Sequence, residues 1–178
     1  MNDKALITRV LVNDDQHAFT TLVRNYQQPI RQFLCRLTQG NWPLADDIAQ
    51  QVFMKLYANL ATFRAESSLS TWLHSVAYRT FLNEVRKPHH LKEAELEGFE
   101  QNNIIANNAD NEILVEQLMV MLPISERACL TLAFSAGMSH QEIATVTDYP
   151  LGTVKSHISR AKQKLSTWLE ETQARNET

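Results

Sequence analysis

The sequence predicts an all-α protein of two small helical domains joined by a flexible acidic linker, the C-terminal domain being a helix-turn-helix. Three observations carry this. The 178 residues include only four glycines and five prolines, too few turn formers for an architecture of many short strands. Ala45, Ile48, Ala49, Val52, Phe53, Leu56, Tyr57 and Leu60 follow a repeat of three and four residues, the period that lines one face of a helix. Finally, residues 88–118 hold one lysine, Lys92, against seven acids, Glu93, Glu95, Glu97, Glu100, Asp110, Glu112 and Glu116. With the polar runs at 101–103 and 107–108, that composition cannot offset the entropy of ordering. The expected division is a first domain over 1–87, a linker over 88–111, a second domain over 112–172 and a tail over 173–178.

Composition also narrows the function. Hydrophobic residues make up 44% and charged ones 21%, the balance of a soluble globular chain. No apolar run approaches the roughly 20 residues that span a bilayer. Asp3, Asp14 and Asp15 interrupt any signal-peptide pattern, so a cytoplasmic location is expected. Cys35 and Cys129 lie within apolar-periodic segments and lack the CxxC spacing of a zinc or redox site, which reads as two buried free thiols. The six histidines are scattered, and neither HExxH nor a glycine-rich phosphate loop is present. His89 and His90, adjacent at the linker, are read as incidental. No enzymatic activity, metal or cofactor is therefore expected.

The helices can be placed in order. The first amphipathic helix should run from about Asp15 to Thr38, with Phe19, Leu22, Val23, Tyr26, Ile30, Phe33, Leu34 and Leu37 inward and Pro29 kinking or interrupting it. The second begins near Pro43, where Asp46 and Asp47 complement the helix dipole. A third, from about Ser70 to Lys87, should bury Leu73, Val76, Ala77, Phe81 and Val85. In the second domain Ile113, Leu114, Leu118 and Met121 share a face. The chain breaks at Pro123 and resumes through Ser125, Glu126 and Arg127 into Leu130, Leu132 and Phe134, ending at Gly137.

Ser139 with Glu142 three residues on is a capping-box pattern. A short helix, a tight turn at Asp148-Tyr149-Pro150 and a longer helix from Leu151 to about Glu170 then follow at helix-turn-helix spacing. In that last helix Val154, Ile158, Ala161 and Leu165 form the inward stripe. Thr153, Lys155, Ser156, His157, Ser159, Arg160, Lys162 and Lys164 are polar or basic, the composition of a DNA reader. Residues 138–165 hold four Lys or Arg against two acids, net +2 within a chain of net −3. That total excludes indiscriminate coating of nucleic acid but not a local basic surface.

The segment Leu122-Pro123-Ile124-Ser125-Glu126-Arg127, the run from Gly137 to Ala144, and the run from Pro150 to Lys162 together resemble the C-terminal promoter-binding region of extracytoplasmic-function sigma factors. In the first domain, the run from Ala45 to Phe53 resembles that family's polymerase-docking helix. Phe63-Arg64 followed by Ser70-Thr71-Trp72-Leu73 resembles its strand-opening segment. The resemblance implies a transcription-initiation factor whose partners are core RNA polymerase, promoter DNA and an anti-sigma factor, membrane-anchored in one form, with no small-molecule substrate. It places Asp47, Gln50, Gln51 and Met54 against the clamp helices of the polymerase. Arg64, Ser70, His74, Arg79, Asn83, Arg86 and Lys87 fall at the minus-ten element, and the polar face of the last helix at the minus-thirty-five element. Family members often carry Arg-Asn and then Asp along the minus-ten helix; this chain has Tyr78-Arg79 and Asn83. Trp72 is assigned to the core rather than to a melting wedge. The alternative is a helix-turn-helix regulator acting without direct sigma activity, against which the docking-helix motif speaks.

Overall fold

The computed structural model describes residues 2–87 and 117–176, and among these all regular structure is helical. The elements are α1 (Asp3–Asn13), α2 (Gln16–Leu37), α3 (Trp42–Asn59), a 3-10 turn at Leu60–Thr62, α4 (Leu69–Val85), α5 (Ile124–Phe134), α6 (His140–Thr147) and α7 (Leu151–Asn176). The expected linker, together with His89, His90, Ile113 and Leu114, lies outside the described residues. Among those described, no helix is long and apolar enough to cross a membrane.

Side-chain caps set most helix starts. The carboxylate of Asp15 accepts the Ala18 N–H at 3.0 Å, the Asn41 amide oxygen accepts that of Leu44 at 3.0 Å, and Ser68 accepts that of Thr71 at 3.0 Å. Each satisfies a backbone donor that the first helical turn leaves without a partner. The expected capping box at Ser139 and Glu142 forms in both directions.

Helix α1 is an addition to the sequence reading, which began at Asp15. Leu6 on it is fully buried, Ile7 and Val10 pack against the core, and the Tyr26 hydroxyl donates to Asp3 across the α1–α2 seam. Of the two outcomes expected at Pro29, a kink or an interruption, the structure rules out the interruption, since α2 runs on through it from Gln16 to Leu37. Leu22 lies buried before it, and Ile30, Phe33, Leu34 and Leu37 after it. Burial on both sides outweighs the backbone hydrogen bond that proline cannot make.

Helices α2, α3 and α4 pack on one another with α1 against α2, while α5, α6 and α7 form the second group. Both cysteines are buried free thiols, and burial pushes the Cys129 thiol up to about 12. Met121 and Phe134, expected inward, stand 61% and 64% exposed; Met119 and Leu122 fill the core instead. The two groups also touch. Helix α6 packs on α4 and α5 on α2, and one buried cluster runs through both.

Candidate functional site

Helix α7 holds its reader face as the inward stripe requires. Val154, Ile158 and Ala161 are buried, which turns Lys155, Ser156, Ser159 and Arg160 outward, where these four line one shallow groove. A helix that enters the major groove reads bases from its N-terminal half, where these residues sit. The Ser156 hydroxyl already donates to the Gly152 carbonyl at 2.9 Å. Thr153 is half-buried at the edge of this face.

Arg160 is held from two sides. Its Nη2 lies 3.1 Å from His157 Nδ1, and its Nε lies 3.7 Å from the Glu126 carboxylate. A guanidinium can only donate, so the ring nitrogen accepts and His157 is neutral. Burial and the neighbouring Arg160 both hold the imidazole below its usual value. His157 stacks obliquely on Tyr149 with ring centroids 5.3 Å apart, so it supports the reader as much as it faces outward.

The two lysines further along have partners within the fold. Lys164 donates to Glu126 at 2.8 Å, and Glu126 is only 5% exposed. A carboxylate so buried needs a cationic partner, which makes Lys164 a stabiliser of the α5–α7 seam. The Lys162 ammonium sits 4.8 Å above the ring of the exposed Phe134. That contact covers an apolar ring while leaving the charge near solvent.

On α4 the structure separates the expected minus-ten residues. His74, expected on the DNA-facing side, is buried instead: it is 2% exposed, its Nδ1–H donates to the Ser70 carbonyl at 2.8 Å, and its ring meets Phe33 edge-on at 5.2 Å. Burial, partly offset by that hydrogen bond, lowers its pKa and keeps it neutral. The reason is position, since His74 falls on the turn that α2 covers. Asn83, Arg86 and Lys87 are exposed, Lys87 donating to Glu84 at 2.8 Å. Arg79 is exposed but engages Asp148 through Nε and Nη2, at 2.9 Å for the shortest contact. Arg64 is exposed on the loop between the 3-10 turn and α4, and Ser70 is half-buried at the start of α4. Trp72 is half-buried against Phe63, ring centroids 6.0 Å apart, a packing role.

On α3, Asp47, Gln50 and Met54 are exposed and Gln51 is half-buried, opposite the buried Ala45, Ile48, Ala49, Val52 and Leu56. Tyr57, expected inward, is 59% exposed and lies three residues beyond Met54, so the stripe carries two large apolar groups in water. Its ring meets Phe19 edge-on at 5.1 Å. Sequence reasoning missed Tyr57, because Tyr at the margin of a helical stripe satisfies either side. It also missed Glu126 and Asp148, whose partners are distant in sequence.

Comparison with known proteins places the chain in a family. The sequence model of Sigma-70 region 2 matches residues 22–89, and that of Sigma-70 region 4 matches residues 112–165. The chain is 33% identical to the ECF RNA polymerase sigma-E factor of Escherichia coli (strain K12) over 181 residues, 93% of each chain. It is likewise 33% identical to the RNA polymerase sigma-H factor of Pseudomonas aeruginosa, covering 92% of this chain and 91% of that one. Among solved structures, the sigma factor RpoE from Bartonella quintana, in complex with the anti-sigma factor NepR, superposes with a TM-score of 0.74 at 24% identity. It covers 85% of this chain and 96% of that one. CnrH, in complex with the cytosolic domain of CnrY, gives 0.69 at 22% identity over 95% and 97%. A regulator sharing only the helix-turn-helix would match the second model alone. With both regions present in order and relatives aligned along nearly its whole length, the chain belongs to the extracytoplasmic-function RNA polymerase sigma factors.

Proposed function

We propose that this sigma factor works through three surfaces of its own residues, two that read promoter DNA and one that docks on core RNA polymerase. The observation that carries the reading is the groove on α7, where Lys155, Ser156, Ser159 and Arg160 stand together above a fully apolar inner stripe. Arg160, with a planar donor fork, is the guanine reader of the minus-thirty-five element; Lys155 and the two serines set register. Arg64, Arg79, Asn83, Arg86 and Lys87 serve the minus-ten element, with His74 packing behind them. Asp47, Gln50, Gln51 and Met54, extended by Tyr57, dock on core RNA polymerase. A surface that exposes Met and Tyr among short polar groups suits protein better than water.

In this reading the chain supplies recognition in the cytoplasm and the polymerase supplies the chemistry. An anti-sigma protein is the natural restraint, since RpoE and CnrH were each solved with a protein partner, NepR and the cytosolic domain of CnrY. Run-off transcription with purified core polymerase, on genomic fragments that include the factor's own upstream region, tests the proposal. Discrete promoter-dependent transcripts are expected. Core polymerase that binds the chain yet starts at no fragment would overturn it.

A further inference from the structure

The orientation of Arg160 is set by neighbours on one edge of its guanidinium. His157 stands one helical turn before it, at a spacing that brings side chains of a helix together, and His157 Nδ1 lies 3.1 Å from Arg160 Nη2. From α5 the Glu126 carboxylate lies 3.7 Å from Nε, and the same acid accepts from Lys164 at 2.8 Å. Nε and Nη2 share one edge of the planar group, so both protein partners sit there. The Nη1 hydrogens and one on Nη2 are left for a base, and guanine O6 and N7 together need only a pair of donors.

The imidazole is held in its turn. Tyr149, between α6 and α7, packs its ring obliquely on His157, which is half-buried. An arginine free on a helix surface samples many rotamers, and fixing one of them on binding costs entropy. A ring clamped by Tyr149 on one side and accepting from Arg160 on the other removes part of that cost before DNA arrives. Only the neutral ring can do this. Protonation places a hydrogen on both ring nitrogens, so Nδ1 ceases to accept and one cation faces another. Among the described residues, burial and then Arg160 disfavour the imidazolium, while Glu126 from α5, itself balanced by Lys164, favours it. In the α6–α7 turn, Tyr149 presents its ring and Asp148 is engaged with Arg79 at 2.9 Å.

We propose that His157 is a positioning residue for the minus-thirty-five element: its neutral Nδ1 holds the Arg160 guanidinium in the orientation that reads guanine, and it reads no base itself. The inference rests on the base-reading role given to Arg160 above. A phosphate contact, the other role open to a histidine on this face, has a different signature. Protonation would then add a cation and tighten binding to every sequence alike. A positioning ring instead loses discrimination between sequences when it is protonated.

The test uses the full chain assembled with core polymerase, on a labelled fragment of the factor's own upstream region and on copies in which each guanine of the upstream element is replaced in turn by adenine. The quantity read is the ratio of affinities, guanine over adenine, in which any unfolded fraction and any titration of the polymerase cancel. Between pH 7.5 and 5.0 the wild-type ratio, at the guanine that Arg160→Ala identifies, should fall about tenfold. His157→Asn, whose amide oxygen takes the place of Nδ1 and does not titrate, should keep the ratio high at every pH. His157→Phe, which keeps a ring on Tyr149 and lacks the acceptor, should hold it about tenfold low at every pH.

A wild-type ratio flat across this range, or a His157→Phe ratio equal to wild type at pH 7.5, would overturn the positioning role. Uniform tightening at low pH with the ratio intact would overturn it in favour of a phosphate contact. Arg160→Ala separates the two assignments. If it discriminates as the wild type does at every guanine, the base-reading role of Arg160 falls and the positioning role with it. If it loses discrimination that His157→Phe keeps, only the positioning role falls.

Discussion

The Lys164 ammonium lies 2.8 Å from the carboxylate of Glu126, which is 5% exposed, while Arg160 reaches the same carboxylate at 3.7 Å and stays 56% exposed. One buried acid thus sorts two cations on one helix into different tasks. Lys164→Ala should lower stability by about 1–2 kcal/mol, a figure reduced for the partial exposure of the lysine. It should leave the salt dependence of DNA binding unchanged, because the charge is already neutralised. Arg160→Ala should leave stability nearly intact and relax preference at one or two bases, a discrimination worth roughly 1–3 kcal/mol. Thermal melts, with binding measured on upstream-element variants at two salt concentrations, separate the pair. Uniform loss of affinity for every variant in Arg160→Ala would remove its base-reading role.

Replacing both Asp47 and Gln50 with Arg, or Met54 and Tyr57 with Ser, should weaken binding to core polymerase at least tenfold, about 1.4 kcal/mol. Circular dichroism should stay unchanged, since none of the four side chains is buried. Polymerase affinity equal to wild type in both variants would move the docking surface off α3.

His74 gives the fold a pH dependence of definite sign. Burial holds its pKa below the ordinary 6.5 in the folded chain. The unfolded chain therefore takes up a proton near pH 6.5 that the folded chain refuses until lower pH. Stability is full above about pH 6.5 and falls as the pH drops below it. His157, lowered in the same direction, adds to the trend. Melting temperature followed from pH 7.5 to 5.5 should fall less steeply in His74→Leu than in the wild type, and equal slopes would refute the assignment.

Arg127 is 2% exposed, its Nε and Nη1 have no hydrogen-bond partner among the described residues, and burial pushes its pKa down to about 10. It remains charged at neutral pH in an environment that penalises charge. Arg127→Met, which keeps length without charge, should raise stability by about 1–2 kcal/mol in a chemical melt. A midpoint lower than wild type would show that the guanidinium is paid for by a contact that methionine cannot replace.

What the sequence determined is the local and periodic part of the molecule. The cap at Ser139, the inward stripe of α7, that of α3 as far as Leu56, and the turn at Asp148 all depend on residues within a few positions of each other. Their spacing therefore states them directly. The outward placement of Lys155, Ser156, Ser159 and Arg160 follows from the same periodicity, and so does that of Asp47, Gln50 and Met54. Tertiary structure decided the rest. Whether Pro29 breaks a helix depends on burial to either side of it, and whether His74 faces DNA or Phe33 depends on where α2 lies. Lys164 acts on phosphate or on Glu126 according to the α5–α7 packing, 38 residues apart. Arg79 meets Asp148 across 69 residues. Each of these outcomes is fixed by a neighbour whose distance in sequence carries no periodic signal. A charged side chain chooses among such neighbours by the desolvation and pairing they offer, and only the folded chain sets those terms.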